Sequence, residues 1–270
     1  MSIKEPEIEN DFRYPNDINF MSSQQFEFQP GETYYVKYFA DNVNNLGRSY
    51  SDVVTVSTEF KDQNGNTIFS KTYGDQEWST QNADVTTYRD GTPIPVANDF
   101  STFYYATTGV YKQTDFGKFY NWYAIMGIHD DDPNTDNKHF SPEGWHVPSL
   151  AEWETLRDYL IANGYNYDGT TTGNKIAKAM ASKNHWEGNY GFGSGDSSSN
   201  NSSGFNAQPY GRVSGDGVWN SFSSRADFWT ATSHQTDYGY IVNLNNDSLS
   251  LSMYQIWITA IGNSVRFVKD

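Results

Sequence analysis

The chain has 270 residues, of which 17% are aromatic and 19% charged, with a formal net charge of −15 and no cysteine. That length allows one large or two small domains and a core that needs no covalent staples. The charge disfavours nucleic acid and anionic membranes as partners, because neither polyanion gains by moving counterions onto an acidic surface, and the missing thiols exclude disulfides and thiolate metal sites.

Residues 1–20 are polar and aperiodic and read as an extended arm. The opening Met1-Ser-Ile-Lys-Glu-Pro is not a secretory signal, so the expectation is either a chain made without a leader, as virion proteins are, or a leader lying upstream. No run approaches the roughly 20 apolar residues of a membrane-crossing helix, and no membrane insertion is expected. From 21 to 59 the pattern is β: Phe26 and Phe28 alternate with polar neighbours, Pro30-Gly31 is a turn, and 34–40 and 50–58 are strands. A sheet that small is marginal in water, so the segment is truncated, degenerate or completed by another chain.

The second region is 60–270. Residues 65–116 read as short strands with turns at Asp90-Gly91 and around Gly109. Residues 117–156 read as a core strand carrying Phe119, Tyr120, Trp122 and Tyr123, then a rigid turn, then a helix. Ser149 is its N-cap, Glu152 completes a capping box, Trp153, Leu156 and Leu160 form an apolar stripe, and Gly164 ends it. A second helix is expected from 173 or 174 to about 182, burying Ile176, Ala177, Met180 and Ala181. Residues 188–203 are a Gly, Ser and Asn loop, and strands follow at 228–229, 238–244, 249–257 and 264–268.

No catalytic constellation stands out. Glu152 is better used in the capping box, Glu154 as a solvated helix residue, and Glu143 then has no second acid with which to cleave a glycoside. None of the five histidines lies in a His-Glu-x-x-His motif, and neither a Gly-x-Ser-x-Gly elbow nor a phosphate-binding loop occurs. His146 reads as a hydrogen-bonded structural histidine. Asp130, Asp132, Asn134 and Asp136 place oxygens at every second residue, like the start of a calcium loop. The sixth-position glycine and twelfth-position glutamate are missing, and a solvated acidic turn is the alternative.

The binding signal lies in the last third. Tyr210, Arg212, Trp219, His234, Asp237, Tyr238, Tyr240, Tyr254 and Trp257 are interspersed with Ser and Asn, the composition of a recognition surface, against the alternative that half of the aromatics are core. Trp219, Tyr238 and Tyr240 have small neighbours and are the expected anchors. Trp257, between Ile256 and Ile258, is the weaker one.

Two resemblances add to this. Pro30-Gly-Glu-Thr-Tyr-Tyr-Val-Lys-Tyr-Phe-Ala-Asp-Asn42 resembles the last strands of a fibronectin type III module, although such a sandwich takes about 100 residues. The stretches Asp62-Gln-Asn-Gly-Asn66, Gly74-Asp-Gln-Glu-Trp78, Tyr88-Arg-Asp-Gly-Thr-Pro-Ile-Pro95, Tyr120-Asn-Trp-Tyr-Ala124, Pro142-Glu-Gly-Trp-His-Val-Pro-Ser149, Gly204-Phe-Asn-Ala207, Phe228-Trp-Thr-Ala-Thr232 and Val265-Arg-Phe-Val-Lys-Asp270 resemble the Fibrobacter succinogenes major paralogous domain over about 60–270. Members often carry a cysteine where this chain has Ser141.

The resemblance implies an α+β, C-type-lectin-like fold of a kind abundant in Bacteroidetes. In some relatives, diversity-generating retroelements vary the C-terminal segment. Formylglycine-generating enzymes share that fold but depend on cysteines, and the sugar-binding Glu-Pro-Asn and Trp-Asn-Asp triplets of calcium lectins are absent. The implied role is non-enzymatic recognition of a cell-surface glycan or protein receptor through the C-terminal face. The N-terminal segment would join other subunits of a virion or surface assembly. The implied setting is extracellular, a phage tail fibre first and a bacterial adhesin second, with a homotrimer the usual state of a fibre.

Overall fold

The computed structural model describes residues 33–36, 39–41, 48–50, 54–57, 59–187, 200–214, 219–235, 237–258 and 261–270. The chain divides into two compact units, Met1–Phe60 and Lys61–Asp270. The first holds β1 (Thr33–Val36), β2 (Phe39–Asp41), β3 (Arg48–Tyr50) and β4 (Val54–Ser57), with β1 antiparallel to β4 and β2 to β3. The arm at 1–20 and the Phe26/Phe28 alternation lie outside the described residues.

The chain continues through β5 (Phe60–Lys61), β6 (Thr67–Ile68), β7 (Ser70–Tyr73), β8 (Gln76–Ser79), α1 (Phe100–Tyr104), β9 (Tyr111–Thr114), β10 (Gly117–Tyr120), α2 (Trp122–Ile125), β11 (Trp145–His146) and α3 (Leu150–Ala162). It ends with α4 (Ala177–Met180), β12 (Arg212–Val213), β13 (Trp219–Asn220), β14 (Arg225–His234), β15 (Tyr238–Asn245), β16 (Ser252–Trp257) and β17 (Val268–Lys269). The class is α+β, mostly sheet with short helices.

The capping box forms as its spacing requires. Ser149 Oγ accepts from the Glu152 amide, and the Glu152 carboxylate accepts from the Ser149 amide at 2.7 Å, so two orphan donors of the first turn are satisfied. Trp153, Leu156 and Leu160 are fully buried and pack with Trp78, Phe205, Phe228 and Met180 in one core cluster. The Trp78 and Trp153 rings meet edge to face at 4.6 Å. Gly164 closes the helix at φ +76°, the left-handed conformation that only glycine adopts cheaply.

Three expected elements of the second unit differ. The aromatic strand expected through Tyr123 stops at Tyr120, because Asn121 Oδ1 accepts from the amides of Ala124 and Val110 and starts the single turn of α2. The helix expected from 173 or 174 shortens to α4. Asn174 bonds both backbone groups of Leu251 through its side chain, and Ala181 bridges to Ala207, although all four predicted apolar residues are buried. The strand expected over 264–268 is likewise only β17 at its end. Ahead of it, Val265 and Phe267 offer their carbonyls singly to the amides of Ala83 and Ser79.

That last segment carries a buried cation. Arg266 is fully buried, donates to Asn82 Oδ1 and to the carbonyls of Ser79, Phe205 and Asn206, and stacks over the Phe205 and Phe228 rings at 4.7 and 5.4 Å. Burial pulls its guanidinium down to about 9, still protonated at neutral pH.

The three-stranded sheet β14–β15–β16 is antiparallel, with Trp229 opposite Ile241 and Ile241 opposite Tyr254. Alternation puts Ala226, Phe228, Val242, Leu244 and Met253 on the side that joins the α3 core, and Asp227, Trp229, Gly239, Ile241, Asn243 and Tyr254 on the other. On that other side the Trp122 ring lies against Gly239, where a Cβ would stand 2.5 Å from it, and meets Trp229 at 5.3 Å.

Two stability outcomes follow, both read by urea unfolding. Arg266→Lys, whose ammonium has three donors for four acceptors, is expected to lose about 3–5 kcal/mol. Gly239→Ala is expected to lose about 1–3 kcal/mol by overpacking against Trp122.

Candidate functional site

Helix α3 covers only part of the sheet. Its first amide, Leu150, donates to Thr232 Oγ1, and Pro148 accepts from the Ala231 amide, so the helix starts level with Ala231 and Thr232, towards the hairpin end of β14. The β14–β15 hairpin runs on beyond it, with His234 opposite Tyr238 and Tyr238 opposite Trp257. These residues stand on the helix side of the sheet, past the helix.

They form a connected group. The Tyr238 and Trp257 rings lie 4.8 Å apart at 47°, and Trp257 is 55% exposed. Tyr240 accepts at its hydroxyl from Gln255 Nε2 at 3.0 Å and lies 3.5 Å from His234 Nδ1, its ring edge-on to the imidazole at 5.7 Å. Asp237 is exposed in the turn, and its carbonyl accepts from the Ile258 amide.

The nine predicted binding residues therefore do not share one face. His234, Tyr238, Tyr240 and Trp257 are brought together, with Asp237 at the turn beside them. Arg212 and Tyr254 belong to the opposite side, around a buried carboxylate. Asp227 is fully buried there, and its Oδ1 accepts from Arg225 Nη2 at 3.2 Å and from Asn243, while Arg225 also donates to the Tyr254 hydroxyl. Arg212 Nε stands 4.0 Å from Asp227 Oδ2, too far for a hydrogen bond. Burial pushes the Asp227 carboxyl up, and Arg225 and then Arg212 pull it back without cancelling the shift.

Tyr210 is half-buried in a separate aromatic group with Phe116 and His185, and the side chain of Trp219 lies outside the described residues. The ranking of the anchors also changes. Trp257 is the most exposed ring of its group, because β16 is an edge strand and Ile256 and Ile258 turn away from its face. Arg225, Asp227, Asn243 and Gln255 were missed. The i, i+2 pair Arg225 and Asp227 inside an otherwise apolar strand was the available signal.

The acidic loop is held by short-range hydrogen bonds of its own side chains. Asp130 accepts from the Asp132 amide and Asp132 from the Asn134 amide and side chain, and Asp130 also meets His129 Nε2 at 3.2 Å. Among the described residues no three carboxylates, cysteines or histidines converge as metal ligands, and the Asp130 and Asp132 carboxylates close two successive turns over 130–134. Two open clefts of about 310 and about 420 Å³ flank this loop.

Residues 72–269 match the Fibrobacter succinogenes major domain. The chain belongs to that family. No curated protein and no solved structure matches it. In this member of the family, the shared stretches are mainly scaffold: Tyr120 donates its hydroxyl to the Val85 carbonyl and accepts Trp229 Nε1 at its own carbonyl, and Asn121 caps α2.

His146, in the family's Trp-His-Val-Pro stretch, is bonded at both nitrogens, by Asp270 at 2.7 Å and Glu152 at 2.6 Å. Burial pulls the imidazole down, but the two carboxylates outweigh it and the net shift is upward from 6.5. Glu152 is pushed up by burial, yet the Ser149 amide and hydroxyl and His146 bring it below 4.5. A raised histidine stabilises fully below its unfolded value and is lost as pH rises through its folded value; a lowered carboxylate stabilises above its unfolded value and is lost as pH falls through its folded one. Unfolding free energy is therefore expected to fall as pH rises above the ordinary histidine value of 6.5 and through the raised folded value, and His146→Gln is expected to flatten that limb. Urea titrations across the range check it, and an unchanged slope in the variant would show that the two carboxylates do not hold the proton.

Proposed function

We propose that this chain is a non-enzymatic recognition module of C-type-lectin-like architecture that binds a cell-surface glycan or protein through the hairpin end of the β14–β16 sheet. The observation that carries the reading is the solvent-facing Tyr238–Trp257 pair, fixed on paired strands beside Tyr240, His234 and Gln255. Rigid strands hold the rings without further ordering on binding, and Tyr and Trp give large contact area at low entropic cost. The hydroxyl of Tyr240 and the amide of Gln255 supply directional polar contacts at the rim.

The setting we propose is extracellular: the surface of a phage tail fibre, or of a bacterial adhesin. The N-terminal unit would serve attachment to other subunits, a trimer in the case of a fibre. The acidic surface supports a protein or neutral-glycan receptor over a polyanionic one.

Trp257→Ala is expected to weaken binding to receptor-bearing cells by about 30-fold, the ~2 kcal/mol of an interface hot spot, with its melting temperature nearly unchanged. Tyr238→Ala is expected to weaken binding in the same way with a small loss of stability. Trp153→Ala, at the fully buried centre of the core, is expected to lose about 3–5 kcal/mol of stability instead. Cell-binding assays and thermal melts on the three variants decide it: a Trp257→Ala protein that binds like the parent removes the hairpin group as the recognition surface.

A further inference from the structure

The cluster around Asp227 has three polar atoms that the fold leaves unsatisfied. Asp227 Oδ2, Arg212 Nε and Arg225 Nε are buried and have no hydrogen-bond partner among the described residues. One is an acceptor and two are donors, so satisfying them takes a guest that both donates and accepts. The rest of the cluster is fixed in place: Asp227 Oδ1 by Arg225 and Asn243, and the Arg225 guanidinium by Asp227 and Tyr254.

Arg212 is different. Among the described residues no hydrogen bond holds its side chain, which is 23% exposed and has its Nε 4.0 Å from Oδ2.

We propose that this cluster is a second binding site, taking the vicinal hydroxyl pair of a neutral sugar after Arg212 turns outward. One hydroxyl donates to Asp227 Oδ2 and accepts from Arg225 Nε; its neighbour accepts from Arg212. A fully ionised anion fits less well, because it has nothing to donate to Oδ2, and the net charge of −15 on the whole chain disfavours any anion. Asn243 and Tyr254 border the same pair of strands and extend the polar floor. The site does not depend on the aromatic hairpin group, which stands on the opposite side of the sheet.

The full chain is titrated with methyl α-D-mannopyranoside, with D-galactose, with a pyranoside whose hydroxyls are all methylated, and with inorganic phosphate. Binding is read by two-dimensional NMR and calorimetry. Both free sugars are expected to bind at millimolar strength and to shift the Asp227, Arg225 and Asn243 signals, while the methylated sugar does not. Arg212→Gln and Tyr254→Phe are expected to weaken this by about tenfold with thermal melts preserved, and Trp257→Ala to leave it unchanged. No shift at these residues up to about 50 mM sugar overturns the proposal. Binding of phosphate alone overturns it in favour of an anion site. Equal loss in Trp257→Ala overturns it too, since the sugar then sits on the hairpin group.

Discussion

The second unit depends on keeping one positive charge dry. Among the described residues no carboxylate stands beside Arg266; its charge is met by three main-chain carbonyls, the Asn82 side chain and two ring faces. A guanidinium in that position is tolerable only when every partner is in place, since an unpaired buried cation is among the most costly things a core can contain. Its partners come from the end of β8, from the segment around Phe205 and Asn206, and from β14, which are far apart in the chain. The cation therefore ties the four-stranded sheet to the three-stranded one, and both to the α3 core through Phe205 and Phe228.

From that scaffold the exposed chemistry follows by subtraction. Helix α3 starts level with Ala231 and Thr232 of β14, and beyond it the same strand alternation that fills the core with Phe228, Val242 and Leu244 presents Tyr240, Tyr238 and Trp257 to water. On the other side, Trp122 seals the hairpin end against Gly239, so the polar residues of that side gather around Asp227 and away from the tip. What is exposed and what is core is set by how far a helix reaches along a sheet.

Elements whose signal is local were legible. The capping box, the apolar stripe and the stop at Gly164 are all encoded within one segment, and α3 forms where they place it. The turn at Asn121 was not, because an asparagine after an aromatic run reads equally as strand; only its bonds to Ala124 and to Val110, eleven residues earlier, make it a cap. The binding residues were legible by type and not by side. Tyr254 and Trp257 have similar compositional credentials, and their odd spacing along β16 already puts them on opposite faces, but which face meets the core is set only by pairing with β15. Asp227 escaped notice because its meaning lies in Arg212, Asn243 and Tyr254, each on a different strand.

The alternation along β15 and β16 also has an evolutionary side. Positions 238, 240, 255 and 257 belong to one surface and 243, 252 and 254 to the other, so substitutions at one parity can accumulate without touching the chemistry of the second. A single inserted or deleted residue in β16 does the opposite, exchanging the two sets at once. Variation in this region is therefore channelled into point changes, and the free edge of β16 can be rewritten one position at a time while the backbone that carries it stays the same.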